Sequence, residues 1–400
     1  MIGKPRKYCA PRSVSYPLQL LDVVVDTYAR GYHKRRETVE GNADVPRFLF
    51  MTSGHLGDAL TLSYLFPLIQ RAHPTCVIDV VAGDWCDPIL ANNPYIRRLI
   101  HLNHANTNRR SISRFAKWRD HIHTTKAAIE LLKEESYTAS IDVRFSDSPM
   151  HFLLPSIKVQ KAVGFGSRGF GGLLDEEFFL PDGEFHHLDV MLAMLRSIGV
   201  HAGLSDIEPY FNFPKAARLT VRQKLPFLDG RPLLVLFPES GEISRFLPHS
   251  FWQQLVGKLL DETDFLLVGC GQLPQTAQLM DQLADDYPDR RDRLHKAVNS
   301  LSLSEVAALS ELATIAFTLE SLPAHLCSIF CPTVSFFKNG TGLQFFPLAN
   351  YPDLVFHNHQ FSRDLTIDRP GFTSVYVDQF NEDVSNQALQ WLQMTVAKKA

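Results

Sequence analysis

Two successive series of short apolar runs, each alternating with stretches of helical periodicity, constrain this 400-residue chain more than any other feature. A strand buried on both faces of a parallel sheet is an unbroken apolar run, and a helix packed on it shows an apolar stripe every three or four residues. In the first series, strands are expected at 47–52, 76–82, 96–102, 138–143 and 161–164, and helices at 58–72, 113–134 and 187–198. The breakers Pro209, Pro214, Pro226 and Gly230 then mark a linker at about 210–230. The second series runs through strand 233–237, helix 250–260, strand 265–269, helix 275–284, a helix from 303, strand 314–318, helix 321–329 and strand 333–337. Alternation in both halves predicts an α/β fold of two doubly wound, Rossmann-like domains facing a cleft, and 400 residues exceed one ordinary core. The expected division is an extension at 1–45, domains at 46–215 and 230–380, and a helix at 381–400 with Leu389, Leu392 and Val396 on one face.

Composition removes several classes of function. Hydrophobic residues at 45% and charged residues at 21% suit a globular protein, and a net charge of −3 argues against a general nucleic-acid binder. No apolar stretch approaches the roughly 20 residues that span a bilayer, and no secretory leader is expected, which favours a cytoplasmic protein. The six cysteines form no CxxC pair; Cys327 and Cys331 lie one helical turn apart but lack further ligands, so buried reduced thiols and no metal are expected. His121 and His123 sit on a basic stretch and are expected in solvent.

The extension carries its own pattern. Leu18, Leu21, Val24, Val25, Tyr28 and Tyr32 fall on one helical face, Asp22, Asp26 and Arg30 fall opposite, and Lys34, Arg35 and Arg36 follow. Two readings stand equal: a peripheral membrane contact through residues 16–36, or a helix packed on the body or on a second subunit.

The most chemically informative segment is Gly54-His55-Leu56-Gly57-Asp58, between the apolar run Phe48-Leu49-Phe50-Met51 and the helical pattern Leu60, Leu62, Leu65, Ile69. Glycine lets backbone approach a ligand closely, and a strand-to-helix turn lies at the carboxyl edge of the sheet, where ligands collect. Asp58 then either caps a helix or acts as a base on a substrate.

This turn resembles that of the bacterial heptosyltransferases of glycosyltransferase family 9. The resemblance continues in Pro67, in Ile78-Asp79-Val80-Val81, in Asn92-Asn93-Pro94-Tyr95-Ile96, in 137–144 and in Val163-Gly164-Phe165. In the second half it is carried by Leu234-Val235-Leu236-Phe237-Pro238, by Arg245-Phe246-Leu247-Pro248 with Phe251, by 299–305 and by 320–326. It covers about 46–380 in order. It implies the two-domain GT-B fold and inverting transfer of a heptose or similar sugar, without a metal or cofactor. The donor implied is a nucleotide-sugar such as ADP-heptose, and the acceptor a glycoconjugate such as lipopolysaccharide core.

The resemblance makes Asp58 the general base and puts its turn, with Gly57, on the acceptor side; Arg144 and Arg168, with Lys161, are cations near strand ends of the first domain that suit an acceptor bearing phosphate or carboxylate. Ser244, Arg245, Glu320, Ser321, Leu322 and His325 fall toward the donor. Amides ahead of a helix at 321–329 suit a leaving diphosphate, with Arg245 as its cation. The glycines of 164–172 lack the dinucleotide spacing and are expected to give a mobile loop. The family's lysine is Ser244 here, and its D-[ST]-G-P pattern is Glu320-Ser321-Leu322-Pro323. Those departures favour an alternative, a catalytically degenerate GT-B protein that binds a sugar nucleotide or scaffolds an assembly complex. A nicotinamide-dependent oxidoreductase is disfavoured, because neither first turn carries the dinucleotide glycine pattern.

Overall fold

The computed structural model describes residues 6, 8, 12–36, 45–145, 149–183, 185–338, 344–358 and 372–397. Cys9 and the last residues expected in the C-terminal helix lie outside them. The chain forms two compact units, residues 1–183 with 187–207, and residues 184–186 with 208–400.

The first unit runs α1 (Arg12–Arg36), β1 (Arg47–Met51), α2 (Leu56–Ser63), α3 (Phe66–Ala72), β2 (Val77–Ala82), α4 (Asp87–Leu90), β3 (Ile96–His101), α5 (Arg114–Leu132), β4 (Ser136–Asp142), β5 (Lys158–Phe165), β6 (Glu176–Phe178) and α6 (His187–Leu195). Its six strands are parallel in the order β3-β2-β1-β4-β5-β6, so the winding reverses between β1 and β4. Phe48, Leu49, Phe50 and Met51 are all buried, as a strand covered on both faces requires. The expected helix 58–72 is two helices, with Pro67, which has no N–H to donate, near the start of the second. Strand β6 has no apolar run to announce it, and its Glu176 and Glu177 are half-exposed at the sheet edge.

The extension is not a separate element. Val25, Ala29 and Tyr32 of α1 join the core beside Leu49, Met51, Ala128 and Leu132. The expected helical faces need correction: Asp22 is buried and accepts from the Phe170 amide (2.7 Å) and the Tyr8 hydroxyl (2.6 Å), whereas Leu20, Val23 and Val24 are exposed. The acid points inward because buried polar groups of the 164–172 loop need partners. That loop is correspondingly pinned: His33 Nε2 lies 2.9 Å from the Gly172 carbonyl, and a Cβ on Gly172 would sit 2.2 Å from Asp26 Oδ1. Its glycines permit close packing against α1, contrary to the mobility expected of them.

The second unit runs α7 (Ala216–Lys224), β7 (Leu233–Phe237), α8 (His249–Glu262), β8 (Leu266–Gly271), α9 (Pro274–Asp286), β9 (Leu294–Val298), α10 (Leu303–Leu312), β10 (Ile315–Leu319), α11 (Leu322–Phe330), β11 (Thr333–Phe337), β12 (Asp353–Asn358), β13 (Phe372–Val377) and α12 (Glu382–Ala397). Seven parallel strands lie in the order β13-β12-β11-β10-β7-β8-β9, reversing between β7 and β10. The expected linker at 210–230 instead contains α7, whose Ala217 and Val221 pack beside Leu225 and Leu233. At the other end, α12 buries Val384, Ala388, Leu389 and Leu392 in the core that includes α8, so the expected terminal helix is part of this unit.

Candidate active site

The first unit brings Asp58 and Arg144 together at the carboxyl ends of the neighbouring strands β1 and β4. Asp58 is in the first turn of α2, and Arg144 follows β4 by two residues. Because these strands flank the reversal of winding, the loops leaving them part and leave a crevice where ligands bind. Asp58 Oδ2 accepts the His55 amide at 2.8 Å, and Oδ1 pairs with Nη1 of Arg144. Asp58 is thus both a helix-capping acid and a charge-paired one. Burial opposes its ionisation, but the Arg144 guanidinium and the His55 amide outweigh that and hold the carboxyl below its ordinary value. Its side chain keeps 21% of its surface exposed, whereas Arg144 keeps only 6%.

Two glycines frame this acid differently. A Cβ on Gly54 would lie 2.6 Å from Asp58 Cβ, so the acid folds over a position that must lack a side chain. A Cβ on Gly57 would meet nothing within 4 Å, which leaves open space beside the expected acceptor-side glycine. The Gly54 carbonyl accepts from Trp85 Nε1 at 2.8 Å, fixing the turn from the loop after β2. Arg168 lies in the short turn after β5, half-buried, and the adjacent Ser167 hydroxyl donates to the Phe145 carbonyl at 2.6 Å. The Arg168 turn therefore adjoins the Arg144 segment.

The His55 ring carries no signal of its own in the sequence. Burial first, then the positive charges of Arg109 and Arg144, against the opposing pull of Asp58, lower its pKa to about 4. Beneath Arg144, Asp142 accepts from the amides of Met150 (2.6 Å) and His151 (3.0 Å) and lies 2.8 Å from His151 Nδ1. That wholly buried set fixes the backbone from which Arg144 projects.

The second unit repeats the arrangement at its own reversal. Arg245 follows β7 through a short turn and Glu320 follows β10 directly; Arg245 Nη2 lies 3.2 Å from Glu320 Oε1, and Nη1 donates to the Glu320 carbonyl at 3.4 Å. That carbonyl also accepts from the Ser240 hydroxyl at 2.8 Å. Ser321 caps α11 with extended backbone, its hydroxyl directed to the Leu319 carbonyl (3.3 Å). Leu322 begins α11 half-exposed, Ser244 is exposed beside Arg245, and His325 is buried one turn into α11. The structure joins Arg245 to Glu320 and sets Ser321 and Leu322 at the same strand end.

Glu239 lies at the same end of the sheet and was not singled out from the sequence. It leaves the end of β7 and accepts from the amides of Gln272 (2.8 Å) and Leu273 (3.0 Å) and from the Thr276 hydroxyl (2.6 Å). Its carboxylate thereby occupies the N-terminus of α9, a position that otherwise attracts anions. The signal was an acid just past a buried strand. Among the described residues no group of three or more His, Cys, Asp or Glu side chains is arranged to hold a metal, and Cys327 and Cys331 are buried free thiols. His121 is half-buried against His104 (ring centroids 4.6 Å apart), rather than in solvent as expected.

No protein-family profile matches the sequence, and no curated protein matches it. Solved structures do. An Escherichia coli ADP-heptose lipopolysaccharide heptosyltransferase II superposes with a TM-score of 0.67 at 15% identity, covering 88% of this chain and 99% of that one. A glycosyl transferase family 9 protein from Veillonella parvula gives 0.68 at 15% identity over the same shares. The E. coli heptosyltransferase WaaC with ADP gives 0.62 at 16% identity, covering 87% of this chain and 99% of that one. The chain has the GT-B fold. In this GT-B chain each doubly wound unit sets one arginine–carboxylate pair at its reversal of winding.

Proposed function

We propose that the protein is an inverting, metal-independent glycosyltransferase with Asp58 as general base. It moves a heptose or similar sugar from a nucleotide-sugar such as ADP-heptose to a glycoconjugate such as lipopolysaccharide core. The observation that carries the reading is Asp58 itself, ionised, partly open, and aimed from a glycine-bearing turn at a reversal of winding. The likeness in fold to heptosyltransferases supports the choice of sugar and donor.

In the proposed reaction the acceptor oxygen attacks the anomeric carbon, its proton passes to Asp58, and the bond from that carbon to the diphosphate oxygen breaks. Negative charge leaves on the diphosphate, where Arg245 and the first amides of α11 would receive it. Arg144 keeps Asp58 charged and oriented before the proton arrives. Because that pairing also weakens Asp58 as a base, transfer requires Arg144 to slacken its hold as the proton is taken. A lipid-borne acceptor puts the work at the inner face of the cytoplasmic membrane, with peripheral contact through residues 16–36.

One observation favours a second reading, a GT-B protein that binds a sugar nucleotide without turning it over: Glu320 occupies the guanidinium that the diphosphate would need. The test has two steps. A thermal-shift screen against ADP-, GDP-, UDP- and dTDP-sugars identifies the donor, since a ligand of the folded form raises the melting point. Turnover with that donor is then measured for the wild type and Asp58→Ala. A loss of about 10²–10⁴-fold is expected; full turnover in the variant rejects Asp58 as base, and binding without any wild-type turnover supports the second reading.

A further inference from the structure

Among the described residues, all but one of the exposed large hydrophobic side chains of the first unit lie on α1 or on α5 and the turn before it; the exception is Phe179. Both helices contribute to the core on the Leu49–Met51 face of the sheet. The α5 region is the more strongly basic of the two, since α1 sets two acids against its cations. Between 109 and 126 it holds Arg109, Arg110, Arg114, Lys117, Arg119 and Lys126, against a single acid, Asp120. That acid is already committed: it accepts from Asn103 Nδ2 at 3.0 Å and lies 3.6 Å from Arg110. Arg110 is also paired with Asp84, so the excess that belongs to the surface is Arg109, Arg114, Lys117, Arg119 and Lys126, in a chain whose net charge is −3.

Aromatic and aliphatic groups stand among these cations. Phe115 is 78% exposed, and Ile112, Trp118 and Ile122 are also open to solvent. Phe115, Trp118, Arg119, Ile122 and Lys126 recur at intervals of three and four and so share one stripe of α5, opposite the Ala128 and Leu132 side that enters the core. Trp118 and Phe152 contact the edges of the His121 ring (5.6 and 6.1 Å between centroids), so the helix presents this stripe from a fixed position.

We infer that the 109–126 segment is a docking surface for an anionic lipid bilayer. Apolar side chains with cations among them match the boundary between acyl chains and acidic headgroups, where aromatic rings and long basic side chains both settle. A second copy of the chain fits poorly, because a two-fold interface would lay this patch against itself and bring like charges together. Nucleic acid does not account for Ile112 and Ile122, which have neither charge nor a stacking face. The surface adjoins the Asp58 turn, since Arg110 pairs with Asp84, and the next residue, Trp85, donates to the Gly54 carbonyl at 2.8 Å. A lipid-anchored acceptor would thus be met beside the candidate base. The docking claim rests on the surface alone and holds whether or not the protein transfers sugar.

The test uses the full chain and sedimentation with vesicles of phosphatidylcholine, with and without phosphatidylglycerol. The wild type is expected to pellet with the acidic vesicles, to remain in solution with the neutral ones, and to be released by salt. Arg114→Glu with Lys117→Glu and Arg119→Glu lowers partitioning by at least about a hundredfold, each cation near an acidic leaflet contributing about 1 kcal/mol. Phe115→Ser, at a site too exposed to affect folding, lowers it by about tenfold. Absence of pelleting, equal pelleting with neutral vesicles, or unchanged pelleting of both variants overturns the inference. So does a wild-type dimer, seen by light scattering, that Phe115→Ser dissociates. Transfer to a soluble acceptor by a protein that ignores vesicles removes this inference and leaves the proposed reaction standing.

Discussion

The pairs Asp58–Arg144 and Glu320–Arg245 occupy equivalent places in their two sheets and differ in what they leave free. In the first unit the arginine is the buried partner, and the carboxylate keeps the larger exposed share. In the second the order is inverted: Glu320 is buried, and Arg245 keeps 25% of its side chain exposed. The partner with the larger exposed share is the one a ligand can reach. An open carboxylate takes a proton or accepts a hydroxyl, and an open guanidinium receives an anion. The same residue types at the same topological position thus suit opposite tasks.

That contrast is sharpened most by Arg245→Met. A charge-assisted hydrogen bond contributes about 1.5–3 kcal/mol, so calorimetry should show nucleotide diphosphate affinity falling by about ten- to a hundredfold. Turnover at saturating donor should fall as well, because in the proposed reaction the same guanidinium receives the charge that develops on the leaving diphosphate. An unchanged affinity would break the comparison at its donor half.

The next effect concerns stability. Gly54→Ala places a methyl against the Asp58 side chain and should cost about 1–3 kcal/mol in urea denaturation, with a loss of turnover as the acid is displaced. Gly57→Ala meets open space inside a helix and should be neutral or slightly stabilising. Equal penalties at the two positions would contradict the geometry of the turn.

Arg144→Met tests how the base is held. The ion pair depresses the Asp58 pKa, so its stabilisation is present above the ordinary carboxylate range and fades as pH falls through the lowered value. Melting temperatures of wild type and variant should therefore differ most at neutral pH and converge in acid. The acid limb of the kcat/KM profile should move to higher pH, because burial then acts without its counterweight. The smallest effect belongs to His55→Gln. With a pKa near 4 the ring is neutral across physiological pH, so the profile between pH 5 and 8 should keep its shape.

Parts of both units were legible because their strands are continuous apolar runs. The expected strands at 233–237 and 333–337 coincide with β7 and β11, whose residues are all buried. The strands that periodicity does not reveal carry polar residues inside or at the edge of the sheet. In β9, Leu294 and Ala297 are buried, but His295 and Lys296 between them are not. Both Asp353 and His357 of β12 are buried, and burial raises the Asp353 carboxyl well above its ordinary value. Asp58 was visible because its turn is local. Its bond to Arg144 was not, because it joins residues 86 positions apart through strands that neighbour only in the folded sheet. The exposed stripe of α5 is hidden for a related reason, since that helix has no clean apolar face until the sheet fixes which side is covered.

The carboxylate of Glu239 closes the positive end of α9, while the corresponding end of α11 is flanked by a serine and a leucine. A nucleotide approaching the second unit would find one electropositive helix mouth stoppered by the protein's own acid. An anion then meets an open helix mouth at α11 alone of the two, as in a socket with one pin hole filled. Removing that stopper with Glu239→Ala should free the α9 amides for an anion, read in calorimetry as a second diphosphate-binding event.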